Sequence, residues 1–464
     1  MSLNAIMNIG RSSLSLFQAA TEITSENIAN VNTPGYSRQR VIIETAPPVQ
    51  SNGFPLGTGA QIASVERYYD GLLQKQLVNA ESGQGYDTKN AQVLQQVEPV
   101  FNEIAYDGLG NAISDYFGAW QDLTLNPAGT TERQNVLAQG QILADNFHNV
   151  STTLNNTIDI QDSSLVPMVS EINSALTEIA QLNAQISQIK LSSGDANETL
   201  DKRDQLIRDL SQKIGITYTE NANGTTDINY ADGGAALVTG GIAGAFSLAV
   251  NGATGRYDVS VTPAGGGAAA AVLPVTGELG ATIALRDTII PGYLTQVDTL
   301  AKSIVDQVNA FHSAGYDPIG GTGQNFFAPI GAIAGAAGAI ALDGGLTTTK
   351  IAAAQAPALP GDNRNALKIA QLFNDKTTMA GATFSGYYNN LVSTVGLDVK
   401  SSQNNVAQGE AFIRQLSTLR ESNSGVSLDE ELTNLIMYQR SYQASAKLIN
   451  TATEMMDTVI GLIR

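Results

Sequence analysis

The stretch SENIANVNTPGYSRQRV, residues 25–41, separates two kinds of sequence near the start of the chain. Before it, the residues show helical spacing but only thin hydrophobicity. Within it, Pro34 disfavours helical geometry at Thr33, and Gly35 permits a positive φ. After it, β-branched and then Pro-rich residues predict an extended strand or hairpin as far as residue 50, followed by a loop over residues 51–70. The stretch therefore predicts the end of a weakly apolar first helix and a corner that leads out of it.

Both ends of the chain carry a seven-residue repeat made of alternating steps of four and three, the spacing that lets one helix pack along another. The other faces of the first helix are polar, so helix propensity barely sustains it in water and it needs a partner. The closing stretch LDEELTNLIMYQRSYQASAKLINTATEMMDTVIGLI, residues 428–463, supplies a helix of the same kind. The predicted assembly seam consists of Leu3, Met7, Leu14, Phe17, Ile28, Leu428, Leu432, Leu435, Tyr442, Ile449, Met456 and Ile460.

Between the two ends, long helical stretches surround a β-rich part. Ile or Leu recurs every seven residues from Ile158 to Ile186, which predicts a long coiled-coil-like helix with Pro167 as a candidate kink. An earlier helix over residues 72–100 is predicted to break at GQGYD, residues 83–87. Short alternating runs separated by NANG, ADGG and NGATG predict hairpins from residue 216 onward.

These patterns predict a mainly α fold with a β-rich part, an α+β class. The two ends of the sequence supply paired terminal coiled-coil helices, and the stretches next to them supply a rod of long helices. The middle of the sequence supplies a small β-rich subdomain, which is expected on the outside of the fold. The predicted domains are a terminal-helix domain over 1–67 and 425–464, a helical rod over 68–215, 283–318 and 361–424, a β-rich subdomain over 216–282, and a Gly/Ala-rich insertion over 319–360.

Composition narrows the classes of partner. Among 464 residues, 25 Lys and Arg against 43 Asp and Glu give a net charge of -18, which repels phosphate backbones and anionic lipid heads. We therefore expect neither nucleic acid nor a membrane as a partner. The absence of Cys excludes disulfides and thiolate metal sites. The start of the chain has no apolar core typical of a cleaved signal peptide.

Catalytic and cofactor motifs are missing from the sequence. The two histidines, His148 and His312, each lie in a helical pattern next to Phe and are interpreted as packing or surface residues. An acidic run from Asp429 to Glu431 follows Ser427, where capping and the helix dipole explain it better than acid–base chemistry does. Nothing matches a phosphate-binding loop, a nucleophile elbow or a zinc motif. We predict no enzyme activity, no cofactor and no metal.

Both ends resemble the signature sequences of the axial proteins of the bacterial flagellum, the rod, hook and hook-associated family. The N-terminal signature corresponds to SENIANVNTPGYSRQRV and the C-terminal one to residues 426–463. Two internal blocks, ETLDKRDQLIRDLSQKIG (198–215) and GDNRNALKIAQLF (361–373), together with YSRQRV after the turn, point to the hook-associated members. The family motif falls on Ala29, Asn30, Val31, Asn32, Thr33, Pro34, Gly35 and Tyr36.

The resemblance implies a structural protein that self-assembles through its terminal helices at the junction between hook and filament. Implied partners are further copies of the chain, the hook protein, the next hook-associated protein, and an export chaperone on the C-terminal helix. The implied location is the extracellular flagellum, reached through the flagellar export apparatus without cleavage. Two alternatives stay open: another axial protein, from the hook, the distal rod or the third hook-associated class, or a surface hydrolase or adhesin with flagellar-type ends.

Overall fold

A computed structural model describes residues 3–51, 54–102, 108–192, 194–379 and 381–462, so the predicted domain limits at residues 1 and 464 lie outside the described chain. Helices account for most of this chain. The α-helices are α1 (Leu3–Ala29), α2 (Gly71–Val97), α3 (Leu109–Leu125), α4 (Thr130–Leu191), α5 (Asn197–Lys213), α6 (Gly277–Ala284), α7 (Ile290–Ala314), α8 (Ala336–Ala339), α9 (Arg364–Gln371), α10 (Phe384–Ser424) and α11 (Leu428–Gly461). A π-helical segment, Leu285–Ile289, joins α6 to α7. The mainly α class with a β-rich part is confirmed.

The strands form small antiparallel sheets. The strands are β1 (Gln39–Thr45), β2 (Val49–Ser51), β3 (Phe54–Leu56), β4 (Ala60–Arg67), β5 (Ile216–Glu220), β6 (Thr226–Tyr230), β7 (Ala236–Thr239), β8 (Ile242–Ala243), β9 (Ala245–Val250), β10 (Tyr257–Thr262) and β11 (Ala270–Ala271). One pair joins β1 to β4, a short hairpin joins β2 to β3, and two further sheets have the orders β5-β6-β7-β8 and β11-β10-β9.

The long helix α4 organises the core. It runs without interruption through Pro167, and its seven-residue repeat is at most 1% exposed from Ile158 to Ile186. Its first part shares one buried apolar cluster with α3, α7 and α10, while its second part shares another with α5, α6 and strands between β5 and β10. Full burial of each such Ile or Leu contributes about 1.5–3 kcal/mol. This single helix therefore connects the two largest apolar clusters of the described chain.

The predicted break in the second helix at residues 83–87 is wrong. Helix α2 continues through Gly83 and Gly85 to Val97. Gly85 is there because α5 comes very close: a Cβ at this position would lie 2.0 Å from the Gln212 carbonyl oxygen. The glycine that would destabilise an isolated helix is required by tertiary packing, which a local pattern does not reveal.

Two other regions differ from the sequence interpretation. The loop predicted over residues 51–70 contains β4, whose Arg67 pairs with Gln39 of β1. The Gly/Ala-rich stretch 319–360 has little regular structure, yet Phe326, Phe327 and Ile340 in it are fully buried against the α3, α4 and α7 core. That stretch covers the core and is held there by a few aromatic and aliphatic side chains. Its many Gly and Ala residues hid these anchors from the sequence interpretation.

Candidate assembly interface

The two terminal helices pack against each other more extensively than any other pair of elements. Three contacts fix their direction. A Cβ on Gly10 would lie 2.6 Å from Cγ1 of Ile449. The rings of Phe17 and Tyr438 have centroids 6.4 Å apart, and the Asn27 amide donates to Glu431 at 3.1 Å. Because the partner's number falls as the α1 number rises, the helices are antiparallel.

The residues that face this contact differ from those predicted. The buried positions are Gly10, Leu16, Ala20, Thr24 and Asn27 in α1, and Glu431, Ser445 and Ala452 in α11. In α1, Gly10 and Thr24 lie in the repeat slot of the predicted Leu3 and Phe17, whereas Ala20 and Asn27 lie one residue before the slot of Leu14 and Ile28. In α11, all three buried residues lie one residue before the slot of Leu432 and Ile460. We call the observed set the polar seam.

Part of the predicted assembly seam therefore points away from the helix pair. Among its members, Leu428, Leu432, Tyr442 and Ile460 are 41–53% exposed. The others are half-buried: Leu3, Met7, Leu14, Phe17, Ile28, Leu435, Ile449 and Met456. In the single chain Leu428 and Tyr442 are 45% and 41% exposed, and the residues of α11 that are buried are Glu431, Ser445 and Ala452, so the packing of the predicted seam stays a prediction.

An apolar stripe consequently faces solvent along α11. Its members are Leu428, Leu432, Ile436, Tyr442 and Ile460, each at least 41% exposed and all within about a third of a turn of one another around the helix. The exposed Met437, Leu448, Met455, Val459 and Leu462 lie on the other side of α11. Scattered exposed apolar residues are ordinary, but a run of them along one helix marks an interaction surface. We refer to the first of these two sets as the α11 stripe.

The corner after α1 contains the family motif. Helix α1 ends at Ala29, and Asn30 caps back to the Glu26 carbonyl at 3.1 Å. Gly35 has a φ of 85°, a left-handed conformation that favours glycine, and Arg420 of α10 donates to its carbonyl at 2.7 Å. Thr33 donates to Asn30 at 3.1 Å. Asn32 and Pro34 are exposed, whereas Val31 is half-buried.

Tyr36 connects the corner to α1. Its hydroxyl donates to the Asn27 side-chain oxygen at 2.9 Å. Burial, and then the negative charge of Glu26, raise the pKa of the Tyr36 hydroxyl above its ordinary value. The phenol is therefore held as a neutral donor, and the motif ends in a fixed contact with the helix that precedes it.

A buried charged cluster attaches the corner to α5. Asp201 of α5 accepts hydrogen bonds from the Ser37 backbone N–H at 2.7 Å and from its hydroxyl at 2.8 Å. Arg67 of β4 bridges Asp201 at 2.6 Å and Asp204 at 2.8 Å. Burial raises the pKa of the Asp201 carboxyl, and the Arg67 guanidinium opposes that shift. The block 198–215, noted for its resemblance, thus supplies the acids that hold the chain after the corner.

A second polar cluster links the same corner to α11. Glu431 is 2% exposed, and its two oxygens accept from Arg38 at 2.7 Å and from Asn27 at 3.1 Å. Arg38 also contacts Glu430 at 2.6 Å. The interpretation of this acidic run as a capped helix start needs correction at two points. The Ser427 side chain makes no capping hydrogen bond, and the third acid is a buried partner of Arg38.

Sequence reasoning missed these cluster residues because their partners are distant in the chain. Arg38 and Glu431 are separated by 393 positions, and Ser37 and Asp201 by 164. The available signal was the presence of charged residues inside stretches that also resemble the family signature. That signal indicates that these charged residues matter, but it does not identify the residues with which they pair.

No catalytic constellation emerges in the described chain. His312 is fully buried between the Gln324 carbonyl at 2.6 Å and the Ala352 N–H at 3.1 Å, as a packed core residue. Across the described residues, no three His, Asp or Glu side chains cluster so as to bind a metal ion. Likewise, no described helix combines the length and apolar character needed to cross a bilayer.

Comparison with protein families connects these features. A family model described as the flagellar hook-associated protein FlgK helical domain matches residues 94–327, just over half of the chain. The chain belongs to the FlgK family of flagellar hook-associated proteins. Models for flagellar rod proteins match the two ends, a basal body rod model at 7–36 and a FlgEFG C-terminal model at 420–462. These end matches cover the corner and the α11 stripe.

Full-length relatives and a solved structure agree with the FlgK assignment. The chain is 29% identical to flagellar hook-associated protein 1 of Bacillus subtilis (strain 168), over 98% of this chain and 97% of the relative. It is 26% identical to the Escherichia coli (strain K12) protein of that name, over 99% and 100%. The flagellar hook junction protein FlgK of Burkholderia pseudomallei has the same fold, with a TM-score of 0.66 at 17% identity, covering 75% of this chain and 100% of that one.

Membership of the FlgK family confirms the predicted resemblance and function. The protein is a structural component of the bacterial flagellum, at the junction between hook and filament. As a junction protein it associates with other flagellar axial proteins and with its own copies. The match of the internal helical domain also favours the hook-associated class over the hook and rod alternatives.

Proposed function

We propose that the protein builds its layer of the junction by completing between copies an interface that α1 and α11 form only in part. The observation that supports this is the α11 stripe, which remains exposed although α11 is already paired with α1. Each large apolar side chain that becomes buried contributes about 1.5–3 kcal/mol. A few such contacts per copy exceed the roughly 2–5 kcal/mol that ordering a segment costs.

The finer assignments belong to the same proposal. The terminal-helix domain, 1–67 and 425–464, forms the inner layer. The rod over 68–215, 283–318 and 361–424 surrounds it, with the β-rich part 216–282 outermost and 319–360 covering the rod. One face of the layer meets the hook protein and the other receives the next hook-associated protein. The role is mechanical and requires no catalysis, so cleavage of cell wall or glycan by the purified protein would contradict it.

Export precedes assembly in this account. The chain passes uncleaved through the flagellar export apparatus to the cell exterior. Before export, a chaperone covers the α11 stripe, because an exposed apolar helix would otherwise associate early. Binding of the cytosolic chaperone is expected to be lost when residues 428–464 are removed. Full affinity of that truncated chain would exclude the stripe as the chaperone site.

The assembly proposal is tested by truncation and by a matched pair of point variants. Deletion of residues 1–30 or of residues 428–464 is expected to abolish hook capping and filament growth, scored by electron microscopy of labelled junctions. Leu432→Ser, in the α11 stripe, is expected to weaken assembly strongly. Leu397→Ser is the control, because Leu397 is 70% exposed on α10, outside the stripe. Normal filaments from either truncation, or equal effects of the two serine variants, would contradict the mechanism.

A further inference from the structure

The terminal helices have two faces on which they could pack together. One face contains the larger side chains, with Ile28 in α1 and Leu432 in α11. The other is the polar seam, which carries Asn27 and Glu431 in the corresponding slots. Hydrophobicity alone favours the first face, since it would bury more apolar area. The structure adopts the second, so another interaction decides the choice.

The only charged side chain buried in the polar seam of the described helices is Glu431. Its pairing with Arg38 and Asn27 satisfies both carboxylate oxygens. The Asn27 amide is also satisfied: it donates to the Gln39 carbonyl at 2.8 Å, and its oxygen accepts from Tyr36 at 2.9 Å and from the Gln39 N–H at 2.9 Å. Each of these groups depends on the present rotation of both helices about their axes.

Rotation onto the apolar face would dismantle this arrangement. Asn27 would move away from Glu431 and from the Gln39 backbone, and the Arg38 pair would lose its geometry. The cost of breaking a buried ion pair is comparable with the gain from burying one or two more leucines. A buried polar group that fixes how helices pair, at some loss of apolar burial, is a known device in coiled coils.

We propose that Asn27, Glu431 and Arg38 select the face on which α1 and α11 pair, and so keep the α11 stripe directed outward. They are positioning residues: they contribute the choice of packing rather than its bulk. The selection takes place within one chain and does not depend on the proposed assembly. Only its consequence, an apolar stripe available to further copies, rests on the proposed function.

Disulfide trapping reports the face directly, because the chain has no cysteine of its own. The contacts of Gly10 with Ile449 and of Asn27 with Glu431 place Ser13 opposite Ser445 in the polar seam. Disulfide formation between Ser13→Cys and Ser445→Cys reports packing on that face. The pair Leu14→Cys and Ala446→Cys, one residue later in both helices, reads the apolar face. Each pair is introduced into the full chain and oxidised as a dilute monomer.

In the otherwise unchanged chain, the 13/445 pair is expected to close at least about tenfold faster than the 14/446 pair. With Asn27→Leu and Glu431→Leu added, the preference is expected to fall at least about tenfold, since the cost of the broken pair is removed. Helix content by circular dichroism establishes that the double variant folds. An unchanged closure ratio in the folded double variant would overturn the proposal.

A milder variant decides the matter if the leucine pair does not fold. Glu431→Gln has nearly the same shape but removes the charge that Arg38 pairs with. The closure preference is expected to fall about threefold, on the smaller loss from a neutral hydrogen bond. Retention of the full preference in Glu431→Gln would contradict a selecting role for the buried carboxylate.

Discussion

Helices α4 and α11 follow the same seven-residue period but differ in what they bury. In α4, repeat positions such as Ile172 and Ile179 are fully buried within one chain. In α11, the buried repeat positions are Glu431, Ser445 and Ala452, while most of the large apolar residues remain exposed. A seven-residue period therefore predicts that a helix packs against a partner. The side chains at the repeat positions indicate whether that partner lies in the same chain or in another copy.

The largest expected contrast comes from one substitution made in each helix. Leu176→Ala in α4, where the side chain is fully buried, is expected to lower the free energy of unfolding by about 2–5 kcal/mol through lost burial and a cavity. Leu432→Ala in α11, at 48% exposure, is expected to change it by less than about 0.5 kcal/mol. Urea unfolding of the monomer measures both. Equal losses would show that the terminal pair is as fully packed as the rod.

A pH response is expected in the rod, at His312. Burial lowers the pKa of His312 to about 4, against an ordinary value of 6.5. The neutral ring thus contributes stability that is complete above pH 6.5 and is lost as the pH falls towards 4, in total about 3 kcal/mol.

The His312 contribution is isolated by comparing unfolding free energies of the parent chain and His312→Gln across pH 4–7. The difference between the two profiles is expected to shrink with falling pH. A parallel displacement of the His312→Gln profile at every pH would contradict the buried neutral ring.

A smaller contrast is expected at two glycines. A Cβ at Gly85 would meet the rigid backbone of Gln212, so Gly85→Ala is expected to destabilise the monomer by about 1–3 kcal/mol. A Cβ at Gly10 would meet side-chain atoms of Ile449 and Leu448 and no backbone atom, so Gly10→Ala is expected to change stability by less than Gly85→Ala does. Thermal unfolding ranks the two. A larger loss at Gly10 would place the tighter helix contact in the terminal pair.

The sequence predicted the features that depend on hydrophobic spacing and on helix-breaking or turn-forming residues such as Pro and Gly. The long α4 helix, the corner at Pro34 and Gly35, the hairpins from residue 216 and the family resemblance all came from short-range patterns. The continuity of α2 through Gly85 and the burial of Phe326 could not be predicted in this way, because each depends on a surface supplied by a distant segment. The rotation of α1 and α11 about their axes could not be predicted for the same reason, because the buried Glu431 pairs with Arg38, which lies outside both helices.

Hydrogen exchange tests most directly the claim that the terminal pair is completed by other copies. Backbone amides of α1 and α11 would be followed in the free monomer and in the assembled layer, with α4 as the internal reference. We expect α1 and α11 to exchange faster than α4 in the monomer, because fewer apolar contacts oppose local opening, and to become protected on assembly. Protection of α11 equal to that of α4 in the monomer, unchanged on assembly, would contradict the account.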